Sequence, residues 1–459
     1  MRRLYLKQLL LLLGDVALLY ATLTLALTFR RFSLPSWDVW QAHAILFTAI
    51  YAVWLVSFYS VGLYDLAKIW PQRSLAATFI NTLAFNTLVA AAFFYFAKGR
   101  FTLLSPQTIL LLNVALFGIA WYAWRVVFSR LIAAQAFLRP LAYVGSIPSS
   151  LEMFDTIRAN PQLGYRLALI GSFHTRSVAP DDHDVLRITN PAGLVPAILR
   201  HNIKTVVMHF PDDTHHAFRE ALYQALAQRF VFIDSTAFSE MVTGKVHVSA
   251  IGQAWFLHNL TEGSKRLYEL FKRAFDIAGS FVLAVISLPF IPLILLAIKT
   301  TSPGPAFFTQ WRIGQNGRKF LAMKFRTMYI DAERHGPQWA QKNDPRATRV
   351  GRFLRKMRVD EIPQLINILR GEMSFVGPRP ERVEFVQELT KDIPYYQERH
   401  LVKPGLTGWA QINFPYGASK ADALEKLQYD LYYIKNRSLI LDLTILLKTI
   451  KVVMQGSGQ

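Results

Sequence analysis

The 459-residue sequence predicts a multi-domain membrane protein. A four-helix transmembrane bundle fills residues 1–138, a small Rossmann-like α/β domain 139–250, a linker 251–264 and a re-entrant membrane helix 265–300. A mixed α/β domain completes it over 301–459. Three observations carry this reading. Four long apolar stretches crowd the first third. Short apolar runs then alternate with helical patterns, as in a parallel sheet. A fifth apolar stretch contains two prolines and leads into a basic segment with an acid pair.

The four stretches are 9–29, 44–63, 75–97 and 109–131. Each is long enough to cross a hydrocarbon core of about 30 Å. The first is too long, and followed by too many others, to be a cleaved signal peptide. Arg2, Arg3 and Lys7 precede span one, Lys68 and Arg73 separate spans two and three, and Arg125, Arg130 and Arg139 close span four. Arg30, Arg31, Lys98 and Arg100 occupy the other loops. The bias is slight, and the positive-inside rule marginally favours both ends of the bundle in the cytoplasm. Asp15 lies near the start of span one and is read as structural rather than functional.

"LAYVGS", "YRLALIGSF", "TVVMHF" and "RFVFID" read as buried strands, with helices over 191–202 and 214–228 between them. The first strand ends in Gly145-Ser-Ile-Pro rather than a G-x-G-x-x-G loop, which opposes a dinucleotide site. His215 and His216 read as a solvated helix face rather than a metal site.

The fifth stretch, 277–298, has Lys272 and Arg273 before it and Lys299 after it. Pro289 and Pro292 remove helix hydrogen bonds past its middle, so a helix–break–helix that returns to the same side is expected, with Pro289 at the break. A kinked spanning helix is the alternative. Parity favours the hairpin, because a fifth crossing would export everything after Lys299.

The stretch "KMRVDEIPQLINILRGEMSFVGPRP" (356–380) carries the chemistry. Ile362, Leu365, Ile366 and Leu369 have helical spacing, Asp360 fits the N-cap and Gly371 the C-terminal cap. A helix N-terminus would hold Asp360 and Glu361 ionised, suiting a metal ligand or an anionic nucleophile. Taken alone, the pair reads better as a plain N-cap with a helpful acid in the first turn. Upstream, Arg349, Arg352, Arg355 and Arg358 recur every three residues on one side of a helix. Downstream, Arg379 is held between Pro378 and Pro380, a rigid fork for phosphate. Lys324 and Arg326 lie on an expected strand in "KFRTM". Acids beside several cations are the components of phosphoryl transfer.

Composition agrees. The chain is 52% hydrophobic, carries net charge +20 and has no cysteine, so thiolate chemistry and disulfides are excluded. Such charge favours anionic partners. The spans and the lack of a basic aromatic platform oppose nucleic acid.

From about Lys265 onward the chain resembles the bacterial sugar transferase family, the monotopic phosphoglycosyl transferases. The matching stretches are "FKRAFD", "GPAFFTQWRIGQNGRKFLAMKFRTM", "RATRVGRFLRKMRVDEIPQLINILRGEMSFVGPRP", "KPGLTGWAQIN" and "LQYDLYYIKNRSLILDLTILLKTI". With the four spans and the α/β domain, it is similar to the family's long form, the polyprenyl-phosphate hexose-1-phosphate transferases. The resemblance implies transfer of a hexose 1-phosphate from a nucleotide diphosphate sugar to undecaprenyl phosphate, with release of the nucleoside monophosphate, at the start of exopolysaccharide, capsule or O-antigen synthesis. It implies a monotopic catalytic domain on the cytoplasmic face of the bacterial inner membrane, with the bilayer itself a partner. It implies Asp360 as nucleophile, Glu361 as its partner and Mg²⁺ as cofactor; beside it, the residues themselves offer Asp360 as the metal ligand and Lys324, Arg326, Arg352, Arg358 and Arg379 as cations for substrate phosphates. A homo-oligomer is left open. Two departures stand out. The family's Ser-Pro at the membrane break is Leu288-Pro289 here, with Ser287 one place earlier. Its Gly-Arg-Asn after "WAQ-x-N" is Phe-Pro-Tyr after Asn413, so a phosphate-contacting arginine is missing or supplied elsewhere.

Two other readings fit the sequence less well. A membrane-anchored nucleotide-sugar dehydratase would need a glycine-rich loop, which is absent, and a Tyr-x-x-x-Lys pair. Tyr268 and Lys272 have that spacing but lie outside the α/β domain. A scaffold role for residues 1–250 would leave the acid pair unexplained. The C-terminal stripe of Leu439, Ile440, Leu443, Leu446, Leu447 and Ile450 is read either as an interfacial helix or as a core helix.

Overall fold

The computed structural model describes residues 2–64, 73–96, 106–133, 138–146, 151–173, 185–210, 215–260, 265–332, 334, 336, 344–414, 417 and 419–454. The expectations placed on Lys68, Lys98, Arg100, Ile147, Pro148, Pro415 and Tyr416 lie outside these residues. The chain forms two compact units, Met1–Thr243 and Gly244–Gln459.

The first unit opens with four apolar helices, α1 (Arg2–Arg31), α2 (Trp37–Ser60), α3 (Arg73–Phe96) and α4 (Pro106–Ala133). All four are long and apolar enough to cross a membrane. They share a core that includes Leu19, Phe47, Trp54, Phe58 and Phe117. Inside it Asp15 is fully buried and paired with Arg125 at 2.6 Å. The Trp121 indole N–H donates to the same carboxylate oxygen at 3.3 Å, and the Arg125 guanidinium lies over the Trp121 and Tyr64 rings.

A parallel five-stranded sheet follows, in the order β3-β2-β1-β4-β5. The strands are β1 (Arg139–Gly145), β2 (Tyr165–Gly171), β3 (Leu186–Ile188), β4 (Thr205–His209) and β5 (Val231–Asp234). Alternate residues of β1 serve opposite faces. Leu141 and Tyr143 pack beneath α5 (Leu151–Ala159) and α8 (Ser235–Thr243), while Ala142 and Val144 face α6 (Leu194–Arg200) and α7 (His216–Gln224). Covering both faces makes every strand apolar, which is why the four longer ones are visible in the sequence. β3 has three residues and was not expected. His215 corrects the solvated-face reading: it is buried, with Nε2 3.2 Å from the Ser172 hydroxyl. Only His216 is exposed.

The second unit begins with α9 (Gln253–Asn259), then α10 (Arg266–Ser287) and α11 (Ile291–Thr301). Pro289 lies in the single 3₁₀ turn, Leu288–Phe290, that joins these two. The Ser287 hydroxyl donates to the Ala284 carbonyl at 3.0 Å, beside that turn. Together α10 and α11 form a fifth stretch long and apolar enough to cross a membrane, yet both halves touch the rest of the unit. Asp276 on α10 accepts from the Ser374 hydroxyl and the Phe375 N–H, and Ile298 on α11 packs with Phe325 and Leu354.

The remainder is mixed. An antiparallel hairpin, β6 (Phe307–Ile313) and β7 (Lys319–Phe325), is followed by α12 (Arg349–Lys356), α13 (Gln364–Arg370), β8 (Ser374–Val376) and α14 (Val383–Asp392). Then come β9 (Gly405–Thr407), parallel to β8, and α15 (Trp409–Asn413), α16 (Lys420–Asn436) and α17 (Leu439–Met454). Both readings of the last helix apply in part: Ile445 is fully buried, whereas Ile440 is 77% exposed.

Candidate active site

The site is assembled from four short segments. The first is β7. Lys324 stands opposite Phe308 in the hairpin register, and both face a cavity of about 460 Å³. The outer edge of β7 would leave backbone groups unpaired. Asn367, fully buried on α13, meets them: its amide donates to the Leu321 carbonyl at 2.9 Å and accepts from the Met323 N–H at 3.2 Å. This clamp fixes the strand one residue before Lys324.

The second segment is α12. Thr348 caps it by accepting from the Gly351 N–H at 2.9 Å. A side chain at position 351 would meet the Thr327 carbonyl oxygen at 1.9 Å, so only glycine lets the helix begin this close to the strand exit. The helix ends at Lys356, and two residues on, Arg358 has a left-handed φ of 57°. Such a conformation is unfavourable for a side chain with a Cβ. It turns the chain sharply into a 3₁₀ turn, Val359–Glu361.

That turn carries the acid pair and corrects the expected cap. The helix starts at Gln364, not Asp360, and Asp360 makes no cap. Both carboxylates are buried, at 7% and 5% exposure. Glu361 is held by cations: Lys324 Nζ at 2.7 Å, Arg379 Nη2 at 3.2 Å and Arg358 Nη1 at 3.6 Å. Burial alone would raise its pKa, but Lys324, Arg379 and Arg358 outweigh burial and keep it well below the usual carboxylate range. Asp360 goes the other way. Burial, with Glu361 beside it, pushes it up to about 6 against the pull of Lys324 and Arg358. Its Oδ1 is buried with no hydrogen-bond partner. The expectation of lowered basicity therefore holds for Glu361 and fails for Asp360, because dehydration dominates there.

The third segment is Gly377–Pro380, where β8 leaves the core. Its glycine is required by contact: a Cβ at 377 would lie 2.3 Å from the Lys403 carbonyl oxygen. The fourth is the turn before β9, which supplies Arg399.

Of the expected cations, Lys324, Arg326, Arg358 and Arg379 line the cavity. Arg326 is 6% exposed, with Nη2 donating to the Ser302 carbonyl and hydroxyl at 2.7 and 2.8 Å and with Nε and Nη1 unpartnered. Arg352 does not line the cavity. It is exposed, because α12 turns position 352 outward while Gly351 and Leu354 face in. Arg355, on the same helix, does line it. Arg312, Arg382, Arg399 and Lys426 line it too and were not expected. Arg312 could have been found from the strand period, since Phe308, Gln310 and Arg312 alternate onto the cavity side. Nothing local marked Arg399 or Lys426.

Of the described lining residues, ten are basic and three, Asp360, Glu361 and Glu381, are acidic. A half-enclosed surplus of cations around one uncommitted carboxylate suits a ligand with several phosphate oxygens. No cluster of three metal-ligating acids or histidines occurs among the described residues. A hard cation that takes one protein carboxylate, with waters and phosphate oxygens completing its shell, is compatible with the bare Asp360 Oδ1.

Comparison with known proteins agrees with this chemistry. A family described as bacterial sugar transferase matches residues 267–456. The chain is 30% identical over 417 residues to a UDP-glucose:undecaprenyl-phosphate glucose-1-phosphate transferase of Klebsiella pneumoniae, covering 88% of this chain and 84% of that one. It is 44% identical over 227 residues to a UDP-N-acetylgalactosamine-undecaprenyl-phosphate N-acetylgalactosaminephosphotransferase of Aeromonas hydrophila. There the match covers 48% of this chain and spans about half, 51%, of the relative. An exopolysaccharide production protein of Rhizobium leguminosarum is 40% identical over 197 residues, 41% of this chain and 97% of the relative.

Proposed function

The chain belongs to the bacterial sugar transferase family, and from that premise we propose that it transfers a hexose 1-phosphate from a UDP-hexose to undecaprenyl phosphate, releasing UMP. The observation that carries this reading is the contrast within the acid pair. Glu361 is committed to three cations, whereas Asp360, which lines the cavity, keeps a buried oxygen without a hydrogen-bond partner.

An Asp360 oxygen bonds to the phosphorus that bears the sugar, and the bond from that phosphorus to the bridging oxygen breaks. UMP leaves with the electron pair and needs no proton. An oxygen of undecaprenyl phosphate then bonds to the same phosphorus, and the Asp360 carboxylate departs. The aspartyl phosphosugar keeps two anionic substrates from having to meet in one transition state. Lys324, Arg358 and Arg379 hold phosphate oxygens, with Arg355 as a further cation on the wall. Glu361 spaces the first three and keeps them from collapsing onto Asp360. Asp360 would also hold Mg²⁺, which when bound neutralises phosphate charge.

The architecture assigned with this function is a four-helix transmembrane bundle, a Rossmann-like domain and a monotopic catalytic domain on the cytoplasmic face of the inner membrane. The α10–α11 pair enters one leaflet, turns at Pro289 and returns, so a soluble donor and a lipid acceptor reach one site. The product begins an exopolysaccharide, capsule or O-antigen.

The test is to incubate purified protein with undecaprenyl phosphate, Mg²⁺ and a panel of nucleotide sugars, and to assay nucleoside monophosphate release. Intact-mass analysis with donor alone should show a phosphosugar adduct that Asp360→Asn lacks. Absence of the adduct, with kinetics requiring both substrates bound at once, would sink the covalent route.

A further inference from the structure

Arg379 lies between two residues without a backbone N–H, so the segment cannot be fixed through Pro378 or Pro380 donors. It is fixed through its carbonyls instead. The Pro378 carbonyl accepts from the Gly405 N–H at 2.8 Å, that of Arg379 from Arg399 Nη2 at 3.3 Å, and that of Pro380 from Arg312 Nη1 at 3.1 Å. Two of the three donors are guanidinium groups. Arg399 is 3% exposed and is itself locked: Nε and Nη2 donate to Asp430 Oδ2 at 3.1 and 2.7 Å, and Nη1 donates to the Tyr396 hydroxyl at 2.7 Å. Asp430, 1% exposed, sits on α16.

We infer that Arg399 and Asp430 are a positioning pair, acting through the Arg379 backbone to aim the Arg379 fork at Glu361 and at substrate phosphate. The inference rests on the proposed role of Arg379. With the Asp430 carboxylate taking Nε and Nη2, and Tyr396 taking Nη1, the guanidinium is committed on both sides, and its reach to the Arg379 carbonyl follows from that orientation. Lysine at 399 keeps the charge but cannot grip Asp430, Tyr396 and the Arg379 carbonyl together. The rival reading is that Arg399, which also borders the cavity, contacts ligand itself.

A double-mutant cycle on the full-length protein separates the two, with inorganic pyrophosphate binding and kcat for nucleoside monophosphate release as readouts. Arg399→Lys and Arg379→Lys should each weaken pyrophosphate binding about tenfold, and the double variant no more than about twofold beyond either alone. In turnover, Arg399→Lys should lower kcat and raise KM for the nucleotide sugar about as much as it weakens pyrophosphate binding. Losses that multiply would overturn the inference, as would native affinity in Arg399→Lys. If Arg399→Lys does not fold, Tyr396→Phe takes its place. It should weaken binding about two- to fivefold, and only while Arg379 is present; an equal loss in the Arg379→Lys background, or no loss in either, overturns the inference. Wild-type protein that binds pyrophosphate but turns over no nucleotide sugar would sink the proposed function and leave the binding cycle to judge this pair.

Discussion

Each unit of the molecule buries an acid against an arginine, and the two arrangements differ in their balance of charge. In the first, Asp15 meets Arg125 at 2.6 Å, and tryptophan and tyrosine rings cover the guanidinium. One charge answers one charge, inside helices apolar enough to cross a membrane. In the second, three cations converge on Glu361 beside Asp360, and in both units one carboxylate oxygen, of Asp15 and of Asp360, is buried without a hydrogen-bond partner. The first arrangement is neutral and closed; the second carries surplus positive charge and opens on a cavity. Burial of an acid therefore does not mark a site. The imbalance around it does.

The sharpest way to break this comparison is to neutralise each acid. Asp360→Asn should lower turnover by about 10⁴-fold or more, the scale of losing a nucleophile, with a melting temperature in detergent at or above that of wild type. Asp15→Asn should do the reverse. It leaves Arg125 buried without its partner, which costs about 3–5 kcal/mol of stability, while kcat per folded molecule stays near native. Thermal melts read beside UMP release test both. Turnover lost with Asp15→Asn at unchanged stability would remove the distinction.

Next in size is Arg379→Lys, which keeps the charge and loses the fork. It should cost roughly 2–4 kcal/mol of transition-state stabilisation, as for one lost oxyanion donor. Near-native kcat would make Arg379 structural.

A smaller and graded effect follows from pH. As the proposed nucleophile, Asp360 would attack only when ionised, and burial pushes its carboxyl up to about 6. Activity should fall about tenfold per pH unit below that value and level off above it. Glu361 is one of the influences raising Asp360, so Glu361→Gln should move the acid limb to lower pH, whatever it does to the plateau. A limb that moves upward would reverse the assigned polarity of the pair. The smallest effect belongs to Arg352→Ala, expected within about twofold of wild type, because that side chain points away from the cavity.

Much of this was legible in the sequence because it is local. Apolar runs of membrane length, doubly covered strands and the Asp360-Glu361 and Pro-Arg-Pro pairs all lie within short windows. Gly371 was correctly placed as a helix C-cap, with φ of 82°. The errors came where position depends on a turn. A three-residue arginine period marks out one side of a helix, but Arg358 leaves the helix in a left-handed conformation, so Arg352 and Arg358 do not share a direction. The same turn moved Asp360 off the cap it was assigned. Asn367 and Arg399 were missed for another reason. Each works by bonding a backbone group, Leu321 and Met323 in one case and Arg379 in the other, and such partners have no sequence signature.

Arg358 also says something about how this protein would change under selection. Its backbone suits glycine, and its side chain reaches Glu361. The two demands pull in opposite directions at one codon. A search for heat resistance alone would find glycine there, relax the turn and pass over the missing cation. The survivors would be sturdier and slower, and a library screened without a turnover assay would discard the enzyme while improving the protein.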